Sequence, residues 1–148
     1  MSPANIVEEF LIAIEQRNFN KAEELLSNSF KVTGVGPDTL DASSFMSIHR
    51  ALGNGMPDFR FNYEFTKEKG GIVNVKMHIT GTHTKSMPAP YAGLRTIPPT
   101  NKTVNMPEEP VEFTVRDNKI QKMQVTNVEG GGLPGLLKQI GVELRVEA

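Results

Sequence analysis

Phe59-Arg60-Phe61-Asn62-Tyr63-Glu64-Phe65-Thr66 sets an aromatic ring at every second position, with a polar side chain between. Side chains on a β-strand point to opposite faces in turn, so this run predicts a strand with one buried and one wet face. Gly70-Gly71 follows, a pair suited to a tight hairpin turn. Val73, Val75, Met77 and Ile79 then alternate with Asn74, Lys76, His78 and Thr80, as a partner strand would. The hairpin places its apolar set on one face of a sheet.

Downstream, the same pattern returns. Val111, Phe113 and Val115 alternate with Glu112, Thr114 and Arg116, Asp117-Asn118 reads as a tight turn, and a last strand is expected from about Ile120 to Val128. Gly130 to Gly132 break that strand, and Leu133, Leu136, Leu137 and Ile140 predict a short closing helix. Between the two hairpins, residues 85–102 hold four prolines and read as a loop. Residues 142–148 form a polar tail, with an extra strand as the alternative.

Upstream, the period changes to that of helices. Ser2 as cap and Pro3 in the first turn open a helix in which Ile6, Val7, Phe10, Leu11 and Ile14 share a face, reaching about Arg17. Asn20 with Glu23 resembles a capping box for a second helix carrying Ala22, Leu25 and Leu26. Phe30 to Val35 reads as a strand. Asp41 or Ser43 caps a third helix with Phe45, Ile48, His49 and Leu52 on one face, and Gly53, Gly55 and Pro57 end it. Helices first and strands afterwards predict an α+β domain over residues 1–148. The expected shape is a cone: a curved antiparallel sheet wrapped around the N-terminal helices, open at one end.

Composition narrows the function classes. Sixteen basic and seventeen acidic residues leave a net charge of -1 with no basic cluster, so no nucleic-acid partner is expected. The apolar run Phe10 to Ile14 is too short to span a bilayer, and the N-terminal residues lack the pattern of a signal peptide. The expectation is a cytoplasmic protein without a membrane partner. The absence of cysteine excludes disulfides and thiolate metal sites. The three histidines lack metal-ligand spacing, so no metal or other cofactor is expected.

Several short motifs now fall into one order. Gly81-Thr82-His83-Thr84 resembles the GTHTG strand end of SnoaL-like polyketide cyclases. Pro98-Pro99-Thr100-Asn101-Lys102 resembles their PPTG[KR] loop, and Pro57-Asp58 a pair that opens their central strand. Asn118-Lys119-Ile120 resembles DGKI, and Leu136 to Gly141 the terminal LLxQLG. The resemblance implies a nuclear transport factor 2-like fold and a pocket for small-molecule chemistry. The family commonly places an acid/base aspartate about nine residues after the lysine of DGKI. That count lands here on Val128, between Asn127 and Glu129.

The site candidates follow. His83 shares the parity of Val75, Met77 and Ile79, so it is expected to line the cavity as general acid or base. Its alternative is a hydrogen bond to the backbone at the wall. Asn127 has the parity of Met123 and Val125 and could orient a carbonyl, and Glu129 is the nearest carboxylate to the missing aspartate. Tyr63 and His49 could face a ligand or simply fill the core. Met77 and Met123 suit an adaptable apolar wall. Asp58 reads as a turn residue. Tyr91 and Leu94 belong to residues 85–97, expected as a lid or rim over the cavity mouth.

Together these residues predict a pocket for a small apolar carbonyl compound, with cyclase or isomerase chemistry by proton transfer. The alternative is a non-catalytic ligand-binding or dimeric interaction module. The outward set Asn62, Glu64, Thr66, Asn74, Lys76, His78, Thr80, Glu112 and Thr114 is rich in short polar side chains, and with the resemblance it suggests a homodimer through the outer sheet face.

Overall fold

A computed structural model describes residues 2–90 and 94–142. Tyr91 and the tail 143–148 lie outside the described residues. Helix α1 spans Pro3–Glu15, and the Ser2 side chain accepts the Asn5 N–H as its cap. Arg17 takes a positive φ of 59° and turns the chain into α2, Phe19–Glu24. The cap of α2 is Asn18, which accepts the Lys21 N–H, rather than Asn20: the reversal at Arg17 starts the helix two residues earlier. Strand β1 is Leu26–Thr33, longer at its start than expected because Ser27, Asn28 and Ser29 hide the pattern there. Strand β2 is Leu40–Asp41. Asp41 then caps α3, Ala42–Gly55, by accepting the Ser44 N–H at 2.9 Å. The helix runs through Gly53 and ends at Gly55, two residues before Pro57.

The aromatic alternation is real but does not form one strand. Regular pairing covers only β3, Glu64–Lys69. Asn62 has φ of 48° and donates from its amide to the His78 carbonyl and the Thr80 hydroxyl, so the chain bends there. Phe59 and Phe61 still point inward and are buried. Gly70 and Gly71, both at positive φ, turn β3 into β4, Ile72–Met77. A Cβ on Gly71 would sit 2.6 Å from the Val115 carbonyl, so the turn also depends on a close backbone approach. Strands β5, Thr80–Thr82, and β6, Thr103–Asn105, form a small second sheet. Strands β7, Glu109–Arg116, and β8, Lys119–Val125, are joined by Asp117 and Asn118, both at positive φ as a primed turn requires. Helix α4 is Gly132–Gln139.

The main sheet has the order β2-β1-β8-β7-β4-β3. Its pairs are antiparallel except β1 with β8, which run parallel. Bulges at Phe65/Lys67 and Thr114/Val115 sharpen the twist and reset the side-chain parity. The second bulge is why Ile120 and Met123, three residues apart, are both buried on the same side.

Helix α1 packs on the concave face, with Phe10 edge-on to Phe113 at 6.5 Å and stacked with Phe45 at 6.4 Å. Three carboxylates fasten α1 and its start to the bent strand. Glu68 accepts the Ala4 N–H, Glu15 accepts the Phe61 N–H at 2.8 Å, and Glu8 accepts the Tyr63 hydroxyl at 3.3 Å. The outward set on the central strands is exposed or half-exposed. No helix among the described residues is long and apolar enough to cross a membrane.

Candidate functional site

Helix α3 and the sheet do not close completely on each other. A cavity lies between them, with ≈ 60 Å³ open to the centre of a water-sized molecule. Phe45, Ile48, His49 and Leu52 of α3 form one wall. Met77, Ile79, Met106, Val111 and Met123 form the sheet wall. Gly132, Leu133 and Leu136 of α4 close one side, beside Val35 and Val125.

Among the described residues, two lining side chains carry hydrogen-bonding atoms, His49 and Glu109. Glu109 begins β7 opposite Met77 and is only 5% exposed. One carboxylate oxygen accepts the Gly132 N–H at 3.2 Å, at the start of α4. Burial raises its pKa above the usual carboxylate value, and the Gly132 bond opposes that in part. Its neighbour Glu108 points the other way, out to Lys76 at 3.4 Å. The sequence signal for Glu109 was available: it shares the parity of Val111, Phe113 and Val115.

His49 is 7% exposed and sits among rings, with Phe45 at 4.6 Å and Phe59 and Phe61 each at 5.7 Å. Its Nδ1 has no hydrogen-bond partner among the described residues. Burial pulls its pKa down to about 4, so the ring is neutral at physiological pH.

His49, Met77 and Met123 therefore meet in the cavity as the periodicity suggested. The remaining candidates do not line it. His83 is fully buried but engages the loop. Its Nδ1 accepts the Thr100 N–H at 3.3 Å and lies 3.0 Å from the Thr100 hydroxyl. It holds backbone, as the alternative role had it, but in the loop and not at the cavity wall. Asn127 and Glu129 are exposed, because β8 ends at Val125 and the chain turns away before them. Tyr63 is half-buried and spends its hydroxyl on Glu8. Leu94 is packed against the core away from the cavity. Asp58 is a turn residue that accepts the Thr82 N–H at 2.7 Å. The described part of residues 85–97 does not roof the cavity either. Met87 packs on Gly55 at the end of α3 and bridges to Ile97. No cluster of three or more His, Asp or Glu among the described residues could hold a metal ion.

Helices seated in a curved sheet around a cavity of this kind define the nuclear transport factor 2-like class. Within it, the chain belongs to the SnoaL-like polyketide cyclase family, whose pattern it matches over residues 5–126. No curated protein matches it. Among solved structures it is similar to IdmH, a candidate polyketide cyclase from Streptomyces antibioticus. The TM-score is 0.70 at 18% identity, over 96% of this chain and 100% of that one. A candidate polyketide cyclase from Xanthomonas campestris pv. campestris has a TM-score of 0.69 at 15% identity, over 94% and 96% of the two chains. An LEH-like epoxide hydrolase of M. tuberculosis has a TM-score of 0.62 at 16% identity, over 93% and 91%. At these identities the likeness speaks for the fold, while the chemistry must come from the cavity.

Proposed function

We propose that the protein binds a small, mostly apolar carbonyl compound in this cavity and acts on it by proton transfer, as a cyclase or isomerase. The observation that supports this reading is Glu109: a buried carboxyl in an otherwise apolar wall, with a raised pKa. Such a group can take a proton from carbon beside a carbonyl and return it elsewhere. It would stand in for the aspartate that Val128 replaces, from a different strand. Neutral His49 would hold the carbonyl oxygen as it gains charge. The chemistry needs no cofactor. Membership of a family of polyketide cyclases supports the same substrate class.

The test is hydrogen–deuterium exchange beside the carbonyl of cyclic ketones and β-dicarbonyl compounds, followed by NMR in deuterated buffer. The protein should accelerate exchange, and Glu109→Gln should slow it by roughly 10²–10⁴-fold while ligand binding persists. Exchange no faster than in buffer, with the ligand bound, would leave a non-catalytic binding module whose Glu109 serves only to hold α4. The outer sheet face is proposed as a homodimer surface on its short polar side chains. Light scattering at micromolar concentration showing only a 16.3 kDa species would end that part.

A further inference from the structure

The cavity's polar inventory is unusually short. Among the described residues no lysine, arginine, serine, threonine, tyrosine or amide side chain lines it. Glu109 already shares one oxygen with the Gly132 N–H. His49 cannot swing away from the wall, since Phe45, Phe59 and Phe61 crowd it from α3 and from the bent strand. Its neutral ring offers one donor and one acceptor. Nδ1 is shut off from any water-sized molecule and has no partner among the described residues, which leaves Nε2 as the nitrogen a ligand oxygen can meet. A ligand oxygen at Nε2 would give the ring a hydrogen bond inside an otherwise apolar wall, where such a bond is worth more than in water.

Resting on the pocket reading above, we infer that His49 is the specificity-determining residue and that the cavity takes an uncharged oxygenated hydrocarbon, a ketone or alcohol, rather than any anion. An anionic ligand would leave water for a wall with no cation and would meet the Glu109 carboxyl. Carboxylates, phosphates and thioesters bearing phosphate are excluded on that ground. A protonated amine fares little better, because one partly engaged carboxyl must repay its whole desolvation. A carbonyl or hydroxyl loses less on leaving water and meets a rigid, preorganised partner.

The experiment uses the full chain with ¹³C-methyl methionine and five ligands on one six-membered skeleton: cyclohexanone, cyclohexanol, cyclohexane, cyclohexanecarboxylate and cyclohexylammonium. The methyls of Met77, Met106 and Met123 report occupancy of the cavity. Cyclohexanone and cyclohexanol should bind about tenfold more tightly than cyclohexane, or ~1.4 kcal/mol, with neither ion shifting the methyls at the same concentration. His49→Leu should make ketone and hydrocarbon bind alike. Should that variant fail to fold, the ¹⁵N resonances of the wild-type His49 ring decide: they should move with cyclohexanone and stay with cyclohexane. Equal binding of ketone and hydrocarbon, or tighter binding of either ion, overturns the inference and leaves the pocket standing. Binding of none of the five overturns both.

Discussion

His49 and His83 are both buried, yet they do different work. His49 stands on a helix with rings around it and a cavity beside it. His83 stands past the end of β5 and binds Thr100 across a loop. Parity placed His83 on the inner face correctly, since Met77, Gly81 and His83 are all buried. Parity cannot say how far along that face a cavity extends. The cavity reaches the level of Met77 and Ile79. Beyond it, the end of α3 and the returning loop fill the space: Met56 packs on Gly81, and the Lys85 N–H bonds the Gly55 carbonyl.

The largest expected consequence is at His49. Its folded pKa of about 4 lies below the ordinary 6.5, so the unfolded chain takes up a proton first as pH falls. Stability is therefore full above pH 6.5 and is lost progressively down to about pH 4. The size is on the order of 3 kcal/mol, from about 2.5 pH units at 1.36 kcal/mol each. Glu109 acts in the opposite sense, since its raised pKa favours the folded state as pH falls. Comparing wild type with His49→Leu isolates the histidine. Denaturant unfolding at pH 7.5 and pH 4.5 should show a much smaller acid loss in the variant. Equal losses would mean that the ring is not held neutral by burial.

His83→Leu should cost less, ~2 kcal/mol, because it leaves the Thr100 N–H and hydroxyl facing a hydrocarbon. It should leave cyclohexanone affinity within about twofold, since His83 does not line the cavity. A large loss of ligand affinity with the fold intact would return His83 to the site and reverse the comparison.

Much of this geometry was legible in the residues. The Gly70-Gly71 and Asp117-Asn118 turns carried their own φ requirement, and the period of α3 set Phe45, Ile48, His49 and Leu52 on one face. What stayed hidden came from backbone breaks and long-range pairing. Asn62 in the left-handed region interrupts a perfect alternation without changing it. The extra residue at the β7–β8 bulge shifts inward positions by one, and no local pattern announces that β1 will lie parallel to β8. The site went astray for a related reason. The resemblance directed attention to the end of β8, where the family keeps its aspartate, while the carboxyl that enters the cavity begins β7. Glu109 was readable by the same parity as Val111. An acidic residue beside another, next to Pro110, looks like a solvated turn until the sheet is built.

The smallest effect is the most discriminating between the two histidines. Thr100 donates its backbone N–H to His83 Nδ1, so the neutral ring carries its proton on Nε2. The Thr100 hydroxyl lies 3.0 Å from the same Nδ1 and accepts the Lys102 N–H at 3.4 Å. Burial already lowers the His83 pKa, with the Ile97 and Lys85 carbonyls countering only in part. A hydroxyl donating to Nδ1 favours the neutral ring further. Thr100→Val keeps the β-branched shape and removes only that group, so the fold should persist at a cost of about 1 kcal/mol. The His83 ring should then titrate at a higher pH than in the wild type, closer to an ordinary histidine. The His49 titration should not move, because nothing in its aromatic cage touches Thr100. Ring-proton NMR across pH 3.5 to 8 reads both in one sample. A shift at His49, or a fixed His83, would show that the two buried rings are not independent and that the cavity and the loop anchor form one electrostatic unit.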